Sequence, residues 1–105
     1  MDSGDGLPLG AVRTKRSRTF TPESLPAALR ANHSTRQGVW GLIVVESGAV
    51  LYTRHGSEGH ILRADTNAAQ RARHVIHPEE LHSVEFVEPG AFFVQFYEVT
   101  GDTSA

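Results

Sequence analysis

The residues of this sequence that could do chemistry are its six histidines, because the chain contains no cysteine. The absence of thiols excludes disulfides, thiolate metal sites and a cysteine nucleophile, so a metal ion would be held by imidazole, carboxylate or water. The adjacent carboxylates Glu79 and Glu80 follow Pro78 and indicate a solvated turn. No Gly-x-Ser-x-Gly, His-Glu-x-x-His or phosphate-binding loop occurs. The sequence therefore assigns no catalytic residue, and its candidate chemistry rests on imidazole.

The chain that must position these histidines is long enough for one core. It has 105 residues, of which 39% are hydrophobic, near the usual size of a single domain. Its longest apolar runs are far shorter than the roughly 20 residues that a membrane-spanning helix needs. The N-terminus also lacks the apolar region of a signal peptide. These features predict a soluble, cytoplasmic protein with no membrane partner.

Basic residues gather near the start of the chain. Arg13, Lys15, Arg16 and Arg18 form a short cluster, whereas residues 74–105 contain no Lys or Arg. Such a cluster is shorter than the blocks that usually mark nucleic-acid-binding arms, and no basic stripe interleaved with aromatics follows it. We therefore expect no nucleic-acid partner.

Composition divides the chain into a domain with two flexible ends. Gly, Asp and Ser occur at both ends, together with Pro8 in the first and Thr100 and Thr103 in the second, which predicts a flexible leader over residues 1–13 and a flexible tail over residues 100–105. A single domain is predicted over residues 14–99. Within it, residues 21–30 allow at most one short helical turn, with Pro26 at an early position.

The rest of the domain has the pattern of β-strands. Residues 39–46 are nearly continuously apolar and β-branched, which is typical of a strand buried on both faces. Ser47 and Gly48 then indicate a tight turn, and residues 49–54 a returning strand, so this segment predicts a β-hairpin. Further strands are predicted at residues 18–21, 59–64, 73–77, 81–87 and 91–98. About seven short strands with frequent turns predict an all-β sandwich or small barrel.

Alternation along the last two predicted strands assigns side chains to faces. One face of the first of these strands carries His82, Val84 and Phe86. The following strand carries large side chains on both faces, with Phe92, Val94 and Phe96 on one and Phe93, Gln95 and Tyr97 on the other. Both faces must then be covered, which favours a closed or double-layered sheet.

Motifs in both halves of the chain resemble those of the TehB/YeaR-like domain family. In the first half, the family's His-x-Thr-x-x-Gly-x-Trp pattern and its later turn glycine are matched by His33, Thr35, Gly38, Trp40 and Gly48. In the second half, its Pro-x-x-x-His-x-x-Glu pattern and its Phe-Tyr ending are matched by Pro78, His82, Glu85, Phe96 and Tyr97. The resemblance covers residues 25–98.

This resemblance implies a cupin-like double-stranded β-helix, a bacterial protein and an association with tellurite resistance. The wider cupin pattern supplies three histidines and one glutamate to a metal ion, and only His33 and His82 stand near those positions here. They are the predicted ligands of a divalent transition metal such as Zn, Fe, Mn or Ni. The predicted ligand-binding residues are His33, Arg36, Trp40, His82 and Tyr97.

Three functions stay open from the sequence. The first is a small binding protein whose pocket, with or without a metal ion, takes a small anion or metabolite in a stress or tellurite response. The second is a metal-dependent enzyme of the oxygenase or isomerase type. The third is a module that forms homodimers. The alternative for both histidines is a structural role, and for Trp40 it is core packing.

Overall fold

The computed structural model describes residues 6–54, 58–64 and 72–99. These residues form strands and one helical turn, in the order β1 (Ala11–Arg16), α1 (Ala27–Arg30), β2 (Val39–Arg54), β3 (Gly59–Arg63), β4 (Ala72–Ile76) and β5 (His82–Val99). The predictions of an all-β fold and of a single helical turn within residues 21–30 are confirmed. No helix in these ranges is long and apolar enough to span a bilayer. The tail predicted over residues 100–105 lies outside the described residues.

One antiparallel sheet contains the five strands that the described ranges form. The long strands β2 and β5 are its central pair, β1 lies beside β5, and β3 and β4 both lie beside β2. Residues 41–45 of β2 pair with β4, whereas residues 49–53 of the same strand pair with β3. The central pair therefore runs through both halves of the fold.

The hairpin predicted at Ser47 and Gly48 is wrong, because β2 continues through these residues. Opposite them, β5 continues through Pro89 and Gly90, and the register of the pair shifts at this point. Gly48 has a φ of 71°, and a Cβ atom there would overlap the carbonyl group of Pro89. The glycine thus permits a bulge that bends a continuous strand where a turn was expected. Merging two pairs of predicted strands leaves five strands in place of about seven.

The first strand lies earlier in the chain than expected. β1 (Ala11–Arg16) pairs with the end of β5, so its first three residues belong to the stretch whose composition predicts a leader. Within residues 18–21, where an edge strand was predicted, Phe20 forms an isolated bridge with Phe92. This bridge holds the following segment against the inner face of β5.

The main core lies between the two halves of the bent central pair. Ile43 and Val45 come from the first half of β2, and Val50 and Tyr52 come from the second half. All four are fully buried. Bending brings the apolar face of each half into one cluster, which explains why so short a chain can bury residues this completely.

A smaller cluster covers the outer face of the first half. Leu42, Val44 and Phe93 form it, and Tyr97 packs against it. The guanidinium carbon of Arg16 lies 3.8 Å from the centre of the Phe93 ring and covers it. The prediction that residues 91–98 are covered on both faces is confirmed.

Candidate functional site: an imidazole pair beside an apolar cavity

His33 and His82 are neighbours because their backbones pair. The N–H of His33 donates to the carbonyl oxygen of His82 over 2.9 Å, and the N–H of His82 donates to that of His33 over 2.8 Å. Their ring centroids lie 4.2 Å apart in an edge-to-face arrangement. The loop before β2 is thereby held against the first residue of β5.

Backbone carbonyl groups also determine which nitrogen of each ring is left bare, that is, without a proton or a hydrogen-bond partner. His33 Nδ1 lies 3.0 Å from the carbonyl oxygen of Ala31, and His82 Nδ1 lies 2.8 Å from that of Glu80. A carbonyl oxygen only accepts hydrogen bonds, so in the neutral ring Nδ1 carries the proton and Nε2 keeps its lone pair. Burial lowers the pKa of His82 although its hydrogen bond to Glu80 opposes the shift, so this ring is neutral near pH 7.

A cavity of about 390 Å³ lies beside the two rings. Its walls come chiefly from the inner face of β5 and from the segment that precedes β2. The apolar lining residues are Phe20, Leu29, Val39, Ile76, Val84, Phe92, Val94 and Phe96. The polar lining residues are Lys15, Ser17, His33, Ser34, Thr35, Arg36 and His82. Two of these are positively charged, and the described lining includes no Asp or Glu.

The structure divides the predicted ligand-binding residues between two sides of the sheet. Three of them line the cavity: His33, Arg36 and His82. Trp40 and Tyr97 are opposite each other in the β2–β5 register and lie on the outer face, where Tyr97 packs against the smaller cluster. The Tyr97 hydroxyl donates to Gln95 Oε1 over 2.9 Å, and the Trp40 ring lies 4.8 Å from the His77 ring.

Two other residues of the first motif hold the loop in position. The Thr35 hydroxyl donates to the carbonyl oxygen of Val39 over 2.7 Å, and the Thr35 carbonyl oxygen accepts from the N–H of Glu79 over 3.2 Å. Gly38 has a φ of 80°, which glycine adopts without strain. These contacts tie the loop that carries His33 to β2 and to the turn before β5.

Lys15 is a cavity residue that the sequence did not point to. Its Nζ lies 5.8 Å from the centroid of the Phe96 ring, and both residues line the cavity. In the sequence Lys15 is one member of a basic cluster, and the face it occupies depends on how β1 pairs with β5. That register shifts between Arg13 and Lys15, so simple alternation along β1 would not have identified it.

A second layer of polar rings lies behind His82. Tyr52 is fully buried, with its ring 5.3 Å from that of His82 and 4.5 Å from that of His74. Burial lowers the pKa of His74. Within the described residues, Tyr52 Oη and Glu80 Oε1 are sealed from solvent without a hydrogen-bond partner.

Burial, more than the nearby charges, keeps the Tyr52 hydroxyl protonated. Burial raises its pKa to about 12, the negative charge of Glu80 adds to the effect, and the positive charge of Arg54 opposes it. Glu80 Oε2 lies 3.4 Å from Nε of Arg54. The layer behind the imidazole pair therefore contains a neutral phenol close to a paired carboxylate.

A cupin-type metal site does not fit the residues that the structure describes. In residues 6–54, 58–64 and 72–99, no group of three or more His, Asp or Glu side chains is placed to hold a metal ion. The imidazoles of His33 and His82 are two nitrogen donors, fewer than the protein ligands of usual zinc sites. We derive no reaction through a metal, and a divalent ion held by these two rings stays a prediction.

The model of the TehB-like domain family matches residues 15–94. The chain belongs to the TehB-like domain family. The resemblance inferred from the two histidine-containing motifs is thereby confirmed. No curated protein matches this TehB-like domain by sequence.

Two solved structures have the same fold as this TehB-like domain. TehB from Haemophilus influenzae is 22% identical with a TM-score of 0.70, and the match covers 87% of this chain and 32% of that one. A protein from E. coli strain K12 is 21% identical with a TM-score of 0.74, and the match covers 90% of this chain and 97% of that one. The chain thus spans about a third of the length of the TehB chain.

Proposed function

We propose that this TehB-like domain binds a small molecule that combines an apolar body with an anionic group. The observation that carries the proposal is the composition of the cavity: an apolar lining, two basic side chains and no acidic residue among those described. Its volume of about 390 Å³ is within the range of small-molecule sites.

The positive charge at the cavity is a local feature of the chain. The whole sequence has a formal net charge of −2, yet the charged residues that line the cavity are Lys15 and Arg36. A guanidinium group can bind a carboxylate or sulfonate through two parallel hydrogen bonds, and an ammonium group adds a point charge. The apolar walls would bury the body of the ligand, with a gain of about 25 cal/mol per Å² of apolar surface removed from water.

The fluorescent probe anilinonaphthalene sulfonate has the required chemistry, namely an aromatic body and one sulfonate. We expect saturable binding of this probe with a fluorescence increase, and weaker binding of the uncharged N-phenyl-1-naphthylamine. Lys15→Gln and Arg36→Gln should each weaken sulfonate binding severalfold and leave binding of the uncharged probe unchanged. Arg13→Gln is the matched control, because Arg13 is also an exposed cation of β1 but does not line the cavity.

Filling the cavity gives an independent check. Val94→Phe adds a ring to the cavity lining and should reduce binding of both probes, provided that its circular dichroism matches that of the wild type. Equal binding of the sulfonate by wild type, Lys15→Gln and Arg36→Gln would overturn the role of charge. Undiminished binding by Val94→Phe would place the probe elsewhere on the protein.

The tellurite association supports a stress setting without identifying the ligand. Tellurite is an oxyanion without an apolar body, so we expect it to compete with the sulfonate probe only weakly. The alternatives of an oxygenase or isomerase and of a homodimerisation module, and the cytoplasmic location, stay predictions.

A further inference from the structure

We infer that the ligand of this cavity also carries a hydrogen-bond donor, such as a hydroxyl group, and that it donates to one Nε2 atom of the imidazole pair, that of His33 or that of His82. The inference rests on the proposed function, and it narrows the ligand class from amphipathic anions to hydroxylated carboxylates. It follows from the orientation of the two rings and from the state of the other polar groups in the cavity.

His82 is only 2% exposed, and its two ring nitrogens differ in their surroundings. Its Nδ1 is bound to the Glu80 carbonyl oxygen, and Nε2 has no hydrogen-bond partner among the described residues. In those residues, the side-chain atoms that are both sealed from solvent and unpartnered are Tyr52 Oη and Glu80 Oε1. Nε2 is therefore not sealed, and the space beside this ring is the cavity that His82 lines.

Most other uncharged polar groups of the cavity are already engaged. The Ser17 hydroxyl donates to the carbonyl oxygen of Arg18 over 2.7 Å and accepts from the N–H of Val94 over 2.9 Å. The Thr35 hydroxyl donates to the carbonyl oxygen of Val39. The imidazole pair and the Ser34 hydroxyl are left to interact with the uncharged part of a ligand.

The imidazole pair selects a donor and disfavours a second anion. A neutral ring whose Nδ1 carries the proton presents only a lone pair at Nε2, which repels a carboxylate oxygen and attracts an O–H or N–H group. Lys15 and Arg36 supply the complementary positive charge in the same cavity. A carboxylate with an apolar ring and one hydroxyl group satisfies all three parts of the lining.

Isothermal titration at pH 7.5 with phenylacetate and its three ring-hydroxylated isomers tests this class directly. A phenolic hydroxyl has a pKa near 10 and stays protonated at this pH, as tyrosine does. At least one isomer should bind about five- to tenfold tighter than phenylacetate, the gain expected of one hydrogen bond to a buried acceptor. The methoxy analogue of that isomer, which cannot donate, should lose the gain.

The variant His33→Phe keeps an aromatic ring beside His82 but removes one of the two acceptors. His33→Phe or His82→Phe, whichever removes the acceptor that the ligand uses, should abolish the advantage of the hydroxylated isomer, measured as the ratio of its affinity to that of phenylacetate in the same variant. His77→Phe is the matched control, because His77 contacts Trp40 and does not line the cavity. His82→Phe provides a second test if its circular dichroism and unfolding transition match those of the wild type.

The results separate this inference from the proposed function. Binding of phenylacetate and the sulfonate probe with no gain from any hydroxyl position would overturn the inference and leave the proposed function standing. A hydroxyl gain that persists in His33→Phe and His82→Phe would also overturn it, because the donor would then bind elsewhere. Failure of all carboxylates and of the sulfonate probe to bind would overturn both proposals.

Discussion

Replacing Tyr52 with phenylalanine is expected to stabilise this TehB-like domain. The Tyr52 side chain is fully buried, and its hydroxyl has no hydrogen-bond partner among the described residues. An unsatisfied buried hydroxyl costs about 1–3 kcal/mol. Phenylalanine keeps the ring contacts with His74 and His82. We therefore expect the free energy of unfolding to rise by about 1 kcal/mol, or the melting temperature by roughly 4–8 °C.

The gain from Tyr52→Phe should increase at alkaline pH. Because the folded protein raises the pKa of Tyr52 from 10.0 to about 12, the unfolded chain releases this proton first as pH rises. The stabilisation from the raised pKa is complete below pH 10 and is lost between pH 10 and 12. At pH 11 the wild type should have lost about 1.4 kcal/mol that the variant keeps.

Guanidinium chloride unfolding of wild type and variant at pH 8 and pH 11 measures both effects. Tyr97→Phe is the matched control, because the Tyr97 hydroxyl donates to Gln95 and its loss should destabilise the protein by about 1 kcal/mol. The control also leaves Tyr52 as the one tyrosine of the chain, so its tyrosinate absorbance should develop near pH 12. A less stable Tyr52→Phe would contradict an unsatisfied hydroxyl at this site, and titration of the folded control near pH 10 would contradict a raised pKa of Tyr52.

Three further expectations concern the bend, the buried imidazoles and the metal. Gly48→Ala should lower the free energy of unfolding by about 3 kcal/mol, because the new methyl group overlaps the facing strand at a positive φ. Gly10→Ala is the control: Gly10 also has a positive φ but open space around it, so the loss should be only about 1 kcal/mol. Equal losses of the two variants in denaturant unfolding would contradict the overlap at Gly48. Burial lowers the pKa values of His74 and His82, so the unfolded chain binds protons first and the free energy of unfolding should fall as pH drops below 6.5. His74→Gln should reduce the loss of stability between pH 7 and pH 5, measured by thermal unfolding. An unchanged loss in this variant would contradict burial of His74 as a cause of the pH dependence. Elemental analysis of dialysed protein should find much less than one metal ion per chain, since two imidazoles form a weak site. One metal ion per chain that is lost in His33→Ala would show that His33 and His82 hold it.

The strand pattern was predictable wherever it depends on neighbours in the chain. Alternation along β5 correctly separated Phe92 from Phe93, because successive side chains of a strand point to opposite faces. The same local information could not distinguish a turn at Gly48 from a bulge. Either can contain a glycine with a positive φ, and only the partner strand decides whether the chain reverses or continues.

The sequence predicted that histidines form the candidate site, but it predicted only part of the set of residues that line the cavity. The motifs pointed to His33 and His82, which the structure places side by side. They also pointed to Trp40, which lies on the outer face, and they did not point to Lys15. Membership of a cavity depends on the register between strands far apart in sequence, and the register shift in β1 is invisible in the sequence.

Composition, alternation and short motifs were enough to predict an all-β domain of the TehB-like family without thiol chemistry, because each of these signals is local in the chain. Three features emerge only from the folded chain: the central pair is one bent ribbon, each Nδ1 is bound to a carbonyl oxygen, and an apolar cavity with two cations lies beside the rings. The local pattern sets the face of each side chain, whereas pairing between strands that are distant in sequence sets which faces meet.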